Sequence, residues 1–346
     1  MKHLPPQLLV GALRFVEHVP IPDTLLKASI AMFIGMRDRD HEPIADRDKI
    51  FADLMSSYPI ALHAEAANAQ HYELPEEFFG LTLGPNRKYS CCYYPQGHET
   101  LAEAERLALE KSAERAFLTD GQQILELGCG WGSFSLFVAE QFSKSHITAV
   151  SNSQSQRSYI EEVARERGLK NLKVLTADMN TFQPQGPFDR IVSIEMFEHM
   201  ANWGALLARL KKALKPEGRL FIHIFSHKAT PYRFDHTDPT DWIGRYFFTG
   251  GFMPSDTLLR QFEDHFSIEE EWRWNGTHYE KTALDWLKNF DKNAQDIMPI
   301  LQKVYGVEAR VWKRRWRLFY LATAGLFGFA NGEEWGVKHY LLKPAN

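Results

Sequence analysis

With 346 residues the chain is long enough to bury a large core, as one catalytic domain with helical additions or as two domains. Hydrophobic residues at 44% and charged residues at 24% describe an ordinary soluble globular protein. Forty basic against 44 acidic side chains leave a formal net charge of −4, so no global basic field attracts nucleic acid, and no nucleic-acid partner is expected.

The first 70 residues read as helical, with apolar positions in Leu25-Leu26, Ile30-Ala-Met-Phe33 and Phe51-Ala-Asp-Leu-Met55 and no strand alternation. The run Leu8 to Leu13 is too short and too soon interrupted for an export signal. From Gln123 onward β-rich runs alternate with amphipathic segments, the pattern of βαβ units in a parallel sheet. Strands are expected at Ile124 to Leu127, Ile147 to Ser151, Leu172 to Thr176, Ile191 to Ile194 and Leu220 to Phe225. Helices are expected between them, including Gln156 to Arg167 and Ala205 to Leu214, the latter closed by Lys-Pro-Glu-Gly218. Residues 228–320 break the rhythm, are rich in aromatic residues, and predict a cap with helices at Ser255 to His265 and Lys281 to Phe290. Trp335 to Leu342 would return to the sheet as a final strand. The apolar stretch from Leu318 to Ala330 falls short of the ~20 residues that cross a bilayer.

The stretch Ile124-Leu-Glu-Leu-Gly-Cys-Gly-Trp-Gly-Ser-Phe134 carries the chemistry: an apolar strand, a glycine-rich turn, then a helix. Gly128, Gly130 and Gly132 let the backbone turn tightly and keep Cβ atoms away from a ligand. The turn lacks the Lys-Ser/Thr ending of a P-loop, and its glycines are closer than in G-x-G-x-x-G, so a pyrophosphate is not expected. Ligands of such sheets bind at the carboxyl ends of strands where strand order reverses. The fourth strand ends there in Ser193-Ile-Glu-Met-Phe-Glu-His-Met200, and in a helical turn Glu195, Glu198 and His199 would share one face. The competing reading is a solvated helix start in which Glu only meets the dipole.

With Glu126 before the first glycine, E-x-G-x-G-x-G resembles the first motif of class I S-adenosylmethionine-dependent methyltransferases. Many of these place an acidic residue after the second strand for the ribose hydroxyls, but here the chain reads Ala149-Val-Ser-Asn-Ser-Gln-Ser-Gln156. That departure resembles the cyclopropane fatty acid synthase superfamily, in which residues matching Ser151 and Gln156 contact the cofactor. Asp178-Met179 resembles the pair bordering the adenine, with an N-cap role for Asp178 or Asn180 as the alternative. His71-Tyr-Glu-Leu-Pro-Glu-Glu-Phe-Phe79 is similar to the superfamily's entry motif. Tyr89-Ser-Cys-Cys-Tyr-Tyr94 is similar to the loop whose residues matching Tyr89 and Ser90 cover the methionine end. Residue-by-residue transfer of the synthases' bicarbonate site gives Cys91, Glu198, His223 and Tyr279; Cys91 and His223 taken singly are equally suited to the core.

Glu195 stands where the lipid enzymes typically have glycine. Together with Asp241-Trp-Ile-Gly-Arg-Tyr-Phe-Phe-Thr-Gly-Gly-Phe-Met-Pro254, Asn275-Gly-Thr-His-Tyr279 and Leu326-Phe-Gly-Phe-Ala-Asn-Gly-Glu-Glu-Trp335, it resembles the coclaurine N-methyltransferase branch. The resemblance implies a mostly parallel, seven-stranded, Rossmann-like α/β sheet with a helical extension over residues 1–75 and a methyltransferase domain over 76–346. It also implies S-adenosylmethionine, a small amine substrate, catalysis by Glu195, Glu198 and His199, and no metal. Glu195 would chiefly bind the amine, and His199 with Glu198 would remove its proton. Trp272, Trp274, Tyr279, Phe247 and Trp335 are candidates to face a cationic ring, and His227 and His278 are further polar candidates. The alternative is a lipid enzyme that makes a cyclopropane or methyl branch, with Lys313-Arg-Arg-Trp-Arg317 docking an anionic membrane; otherwise that cluster is a solvated helical face. Three cysteines without a disulfide or zinc spacing suit the cytoplasm. Oligomeric state is open, with a homodimer as one expectation.

Overall fold

In the computed structural model, which describes residues 5–40, 46–62 and 74–345, seven strands form one sheet in the order β3-β2-β1-β4-β5-β9-β8. These are β1 (Gln123–Leu127), β2 (His146–Ser151), β3 (Leu172–Thr176), β4 (Phe188–Ile194), β5 (Leu214–His227), β8 (Phe266–Asn275) and β9 (Trp335–Pro344). The first five pair in parallel, while β9 runs antiparallel between β5 and β8. Order reverses between β1 and β4, so their carboxyl ends open side by side, which is the ligand position of a doubly wound sheet. A separate two-stranded ribbon pairs β6 (Tyr232–Arg233) with β7 (Phe252–Met253).

The connections between the parallel strands are helices, as their apolar periodicity predicts. They include α6 (Ser133–Gln141), α7 (Gln154–Glu166) and α8 (Trp203–Ala213). Ser153 caps α7 and Asn202 caps α8, each accepting a backbone N–H of the first turn. Ahead of the sheet lie α1 (Pro6–His18), α2 (Asp23–Asp40), α3 (Arg47–Met55), α4 (Glu76–Thr82) and α5 (Leu101–Arg115). Thr100 and Glu103 close a reciprocal capping box at the start of α5. After the ribbon come α9 (Trp242–Tyr246), α10 (Thr277–Lys292), α11 (Ala294–Tyr305) and α12 (Ala309–Gly328). Fully buried Phe78, Phe79, Trp286, Phe290, Trp316 and Tyr320 make an aromatic core between these helices and the sheet's end.

Three expectations need correction. The seventh strand lies inside the stretch read as cap: β8 is the sheet's edge, its exposed Glu269–Glu271 face obscuring the alternation. Residues 255–265 are mostly turns with a short 3₁₀ segment, Leu258–Phe262. Helix α8 ends at Ala213, because Leu214 already pairs with Phe188; the residues up to Gly218 loop out before Arg219 resumes the register.

Candidate active site

Two hollows meet at the end of β4. One is a cleft lined by Gly128, Gly130, Val150, Ser151, Asn152, Gln156, Ala177, Asp178 and Met179. The other is an apolar cavity of about 480 Å³ beneath α1 and α2, reaching Tyr89, Phe225, Phe248, Tyr279, Trp286 and Phe327. Glu195 and His199 line both. A cavity of that size lies in the range that holds a small organic ligand.

The cleft fits a nucleoside cofactor. Gly130 has φ +51°, and a Cβ built on it would meet nothing within 4 Å, so the backbone there fronts open space. Gly128, at φ +72°, has a different reason: its Cβ would stand 2.6 Å from that of Met196. The Ser151 hydroxyl donates to Gln156 Oε1 at 2.6 Å, while Gln156 Nε2 is buried without a partner, a donor left for a ligand oxygen. Asp178 is exposed; its carboxylate accepts the Asn180 N–H at 2.8 Å, so it shapes a turn as well as lining the cleft. The Asn180 amide bridges both backbone polar groups of Ala61. Ala61 and Leu62 also line this cleft and carry no motif that sequence reading would notice, while Thr249 lines it from within the Asp241–Pro254 motif.

Glu126 lies buried under the turn, takes the Ser135 hydroxyl, and is pushed by burial up to about 8. Beside it, the Lys88 ammonium is buried and donates to Ser90 Oγ and, at 2.7 Å, to the Cys91 carbonyl. Lys88 thereby fixes the strap that carries Tyr89, Ser90 and Cys91; a lone lysine gave no signal in the sequence. Tyr89 lines the large cavity, packed against Phe79 and Trp286.

The β4 end is not the helical face expected. Glu195 has φ +47°, a left-handed conformation that costs a non-glycine residue roughly 1–2 kcal/mol, and only Phe197–His199 form a 3₁₀ turn. Its side chain therefore points away from a common helical stripe and into a ring of donors. The Cys91 N–H reaches Oε1 at 2.8 Å, His223 Nε2 reaches Oε1 at 3.1 Å, and the Tyr279 hydroxyl donates to Oε2 at 2.7 Å. Three of the four residues transferred from the bicarbonate site thus surround a carboxylate of the chain itself. Their donors are spent on Glu195, so these residues do not fit a bicarbonate ion. Burial raises Glu195 above the ordinary carboxylate range, opposed by the Lys88 charge and the hydrogen bonds. Glu198 lines neither hollow: Oε1 accepts the Phe225 N–H at 2.8 Å and Oε2 is buried without a partner. Burial, then repulsion from Glu195, raises Glu198 well above the ordinary carboxylate range. Burial lowers His199 to about 4, against the pull of Glu195, so its imidazole is neutral at pH 7.

Other candidates lie elsewhere. Trp274 is on β8, stacked on Tyr93 at 4.6 Å and behind His223, outside the large cavity. Trp272 is on the same edge strand, and Phe247 is packed in the aromatic core against Phe319. Tyr279 and Trp335 do line the cavity. His227 sits past it, its Nδ1 accepting the Ala229 and Thr230 N–H groups of a turn. His278 accepts the Tyr94 N–H. Residues 71–73 of the entry motif lie outside the described residues.

The sequence matches the family model for mycolic acid cyclopropane synthetase over residues 61–331. The chain belongs to that family. It is 37% identical to (S)-coclaurine N-methyltransferase of Thalictrum flavum subsp. glaucum, over 97% of this chain and 96% of that one. The crystal structure of coclaurine N-methyltransferase bound to N-methylheliamine and SAH superimposes with a TM-score of 0.93 at 35% identity, covering 97% and 99% of the two chains. Similarity to the cyclopropane-fatty-acyl-phospholipid synthase of Escherichia coli K12 is weaker, 29% identity over 78% of this chain and 66% of that one. The chain is a methyltransferase that uses S-adenosylmethionine, and its fold is that of the class I enzymes.

Proposed function

We propose that this enzyme methylates the nitrogen of a small amine carried on an aromatic or cyclic skeleton of the tetrahydroisoquinoline kind. The observation that carries the reading is that Glu195 and His199 line both hollows, so that a carboxylate and a neutral imidazole would flank the junction of a cofactor in one and an acceptor in the other. The similarity to coclaurine N-methyltransferase supports the amine over a lipid acceptor.

S-adenosylmethionine, when bound, supplies a methyl group activated on a sulfonium. Gly130, Ser151, Gln156, Asp178 and Met179 would hold its nucleoside, with Tyr89 and Ser90 at the methionine end and Glu126 under the turn. The acceptor arrives mostly as an ammonium, which has no lone pair to attack with. A carboxylate offers about four acceptor positions, and three of those on Glu195 are taken, leaving one on Oε2 for an ammonium N–H. Glu195 anchors the cation but also stabilises its protonated form, so a second group must take the proton. His199, neutral and on the same rim, takes it, with its ring held against Phe248 at 4.4 Å. Glu198 positions that turn through the Phe225 backbone rather than touching the acceptor. The aromatic walls of the cavity, Tyr279 and Phe327 stacked at 4.4 Å among them, suit a flat cation.

Two of the four basic side chains that would dock a membrane under the lipid reading are paired within the protein. In the basic cluster of α12, Arg315 is buried on Glu17, and Arg317 pairs with Asp23 and Asp291. Among the described residues no helix is long and apolar enough to cross a membrane. The three cysteines are free and buried, and we place the enzyme in the reducing cytoplasm. Transfer of labelled methyl from S-adenosylmethionine to a panel of cyclic secondary amines and to phospholipid vesicles tests the reading. Label in the amines supports it, and label only in the lipid overturns it.

A further inference from the structure

Behind Glu195 lies a second layer of polar groups that the proposed chemistry does not use. His223 on β5 and His339 on β9 are directly opposed across the sheet, both fully buried, with ring centroids 4.5 Å apart. His339 Nδ1 stands 2.8 Å from Arg115 Nη1 at the end of α5, and the Arg115 guanidinium lies over the Trp272 ring at 4.9 Å. Each histidine has one buried nitrogen without a hydrogen-bond partner: Nε2 of His339 and Nδ1 of His223.

A guanidinium only donates, so His339 Nδ1 must accept and the His339 proton resides on Nε2. That N–H is a buried donor without an acceptor beside the His223 ring, whose centroid is 4.5 Å from that of His339. A proton on His223 Nδ1 would then be a second donor in a dry space without an acceptor, so the His223 proton is driven to Nε2, against Glu195 Oε1. The other tautomer would set two lone pairs face to face and favour a protonated Glu195. We infer that Arg115 and His339 are positioning residues for the methyl transfer, which fix the His223 tautomer and through it hold Glu195 as an amine-binding carboxylate. This rests on the role proposed above for Glu195.

The groups around the chain of contacts agree with this polarity. Glu195 faces Lys88 and Cys91 of the strap, Tyr279 of α10, His223 of β5, and Glu198 and His199 of its own turn. His223 faces Lys88, Arg115 and His339, and burial together with the two cations keeps it neutral well below the ordinary histidine range.

The test uses full-length enzyme labelled with 15N-histidine, together with Arg115→Met, His339→Phe and the conservative Arg115→Lys. In the native enzyme the His223 nitrogen shifts should report a neutral ring protonated on Nε2 from pH 6 to 8; a ring protonated on Nδ1 overturns the inference whatever the variants do. In Arg115→Met and His339→Phe the two tautomers should mix and the amine KM should rise about tenfold, the scale of one charge-assisted hydrogen bond. The acid limb of kcat/KM should move to higher pH, because Glu195 then holds its proton longer. SAH affinity should stay native, and Arg115→Lys, which still only donates, should restore the native profile. Variants with native tautomer, KM and acid limb would overturn the relay. Should Glu195→Gln bind amine normally, the amine-binding reading falls, while the tautomer spectra still decide the relay by themselves.

Discussion

Replacing Glu195 by Gln isolates charge from shape. The side chain is 7% exposed, so little water screens its attraction to a bound ammonium. The amide keeps an oxygen for the Cys91 N–H and for His223, and the Tyr279 hydroxyl can turn from donor to acceptor, so the local packing should survive. What is lost is a charge-assisted hydrogen bond, worth about 1.5–3 kcal/mol, or roughly a 10- to 150-fold rise in the amine KM. SAH binding, measured by calorimetric titration, should change little. The apo enzyme should melt at the same temperature or higher, because a carboxylate raised by burial has been removed from a dry site. Initial rates over a range of amine concentrations decide the matter. A native KM in a folded Glu195→Gln enzyme would refute the assignment of Glu195 to the ammonium.

Outcomes for five further variants follow from the same geometry. His199→Asn should lower kcat by about 10²-fold or more with a modest effect on amine KM, as expected when a positioned base is lost; steady-state kinetics checks the split. Gly130→Val should abolish SAH binding in calorimetry and, because the backbone there has φ +51°, also lower the melting temperature although nothing lies within 4 Å of that Cβ, whereas Gly128→Ala should lower the melting temperature through both its positive φ and the clash with Met196. Glu126→Gln should flatten the pH dependence of apo stability. Its folded value of about 8 exceeds the unfolded one, so its contribution is full below about pH 4.5 and is lost as pH rises towards 8; calorimetric melts across that window measure it. Arg315→Met, which strands buried Glu17, should cost about 3–5 kcal/mol and speed hydrogen exchange in α1 before the core.

The parallel half of the sheet was legible because each strand is a short apolar run with one βα turn behind it, and the glycine turn announced its own ligand. Strand β8 was not, since an edge strand of an antiparallel pair exposes charged residues that read like a loop, and aromatics at Trp272 and Trp274 serve sheet and cap equally well. Within the site, Glu195, Glu198 and His199 were read together from one short segment, with amine binding given to Glu195 and proton removal to His199 with Glu198, but the place of Glu198 away from the rim was not legible. The left-handed φ of Glu195 sends its carboxylate toward Cys91, His223 and Tyr279 and leaves Glu198 behind the rim. A helical wheel drawn on the sequence has no means of anticipating that turn. Lys88, Arg115 and His339 escaped notice for a simpler reason: each acts through a partner more than twenty residues away or through a backbone carbonyl, and isolated basic residues carry no spacing signal. The basic run in α12 was visible, yet its partners Glu17, Asp23 and Asp291 are supplied by other helices.

The central claim is that an amine nitrogen is methylated between Glu195 and His199, at the junction of the glycine-turn cleft and the apolar cavity. A crystal structure of the enzyme with SAH and a methylated cyclic amine tests it most directly. The account predicts SAH along Gly128, Gly130 and Gln156, and the amine nitrogen within hydrogen-bond distance of Glu195 Oε2, its methyl group directed at the sulfur. An amine seated with its nitrogen away from both Glu195 and His199, in a complex that still turns over, would contradict it.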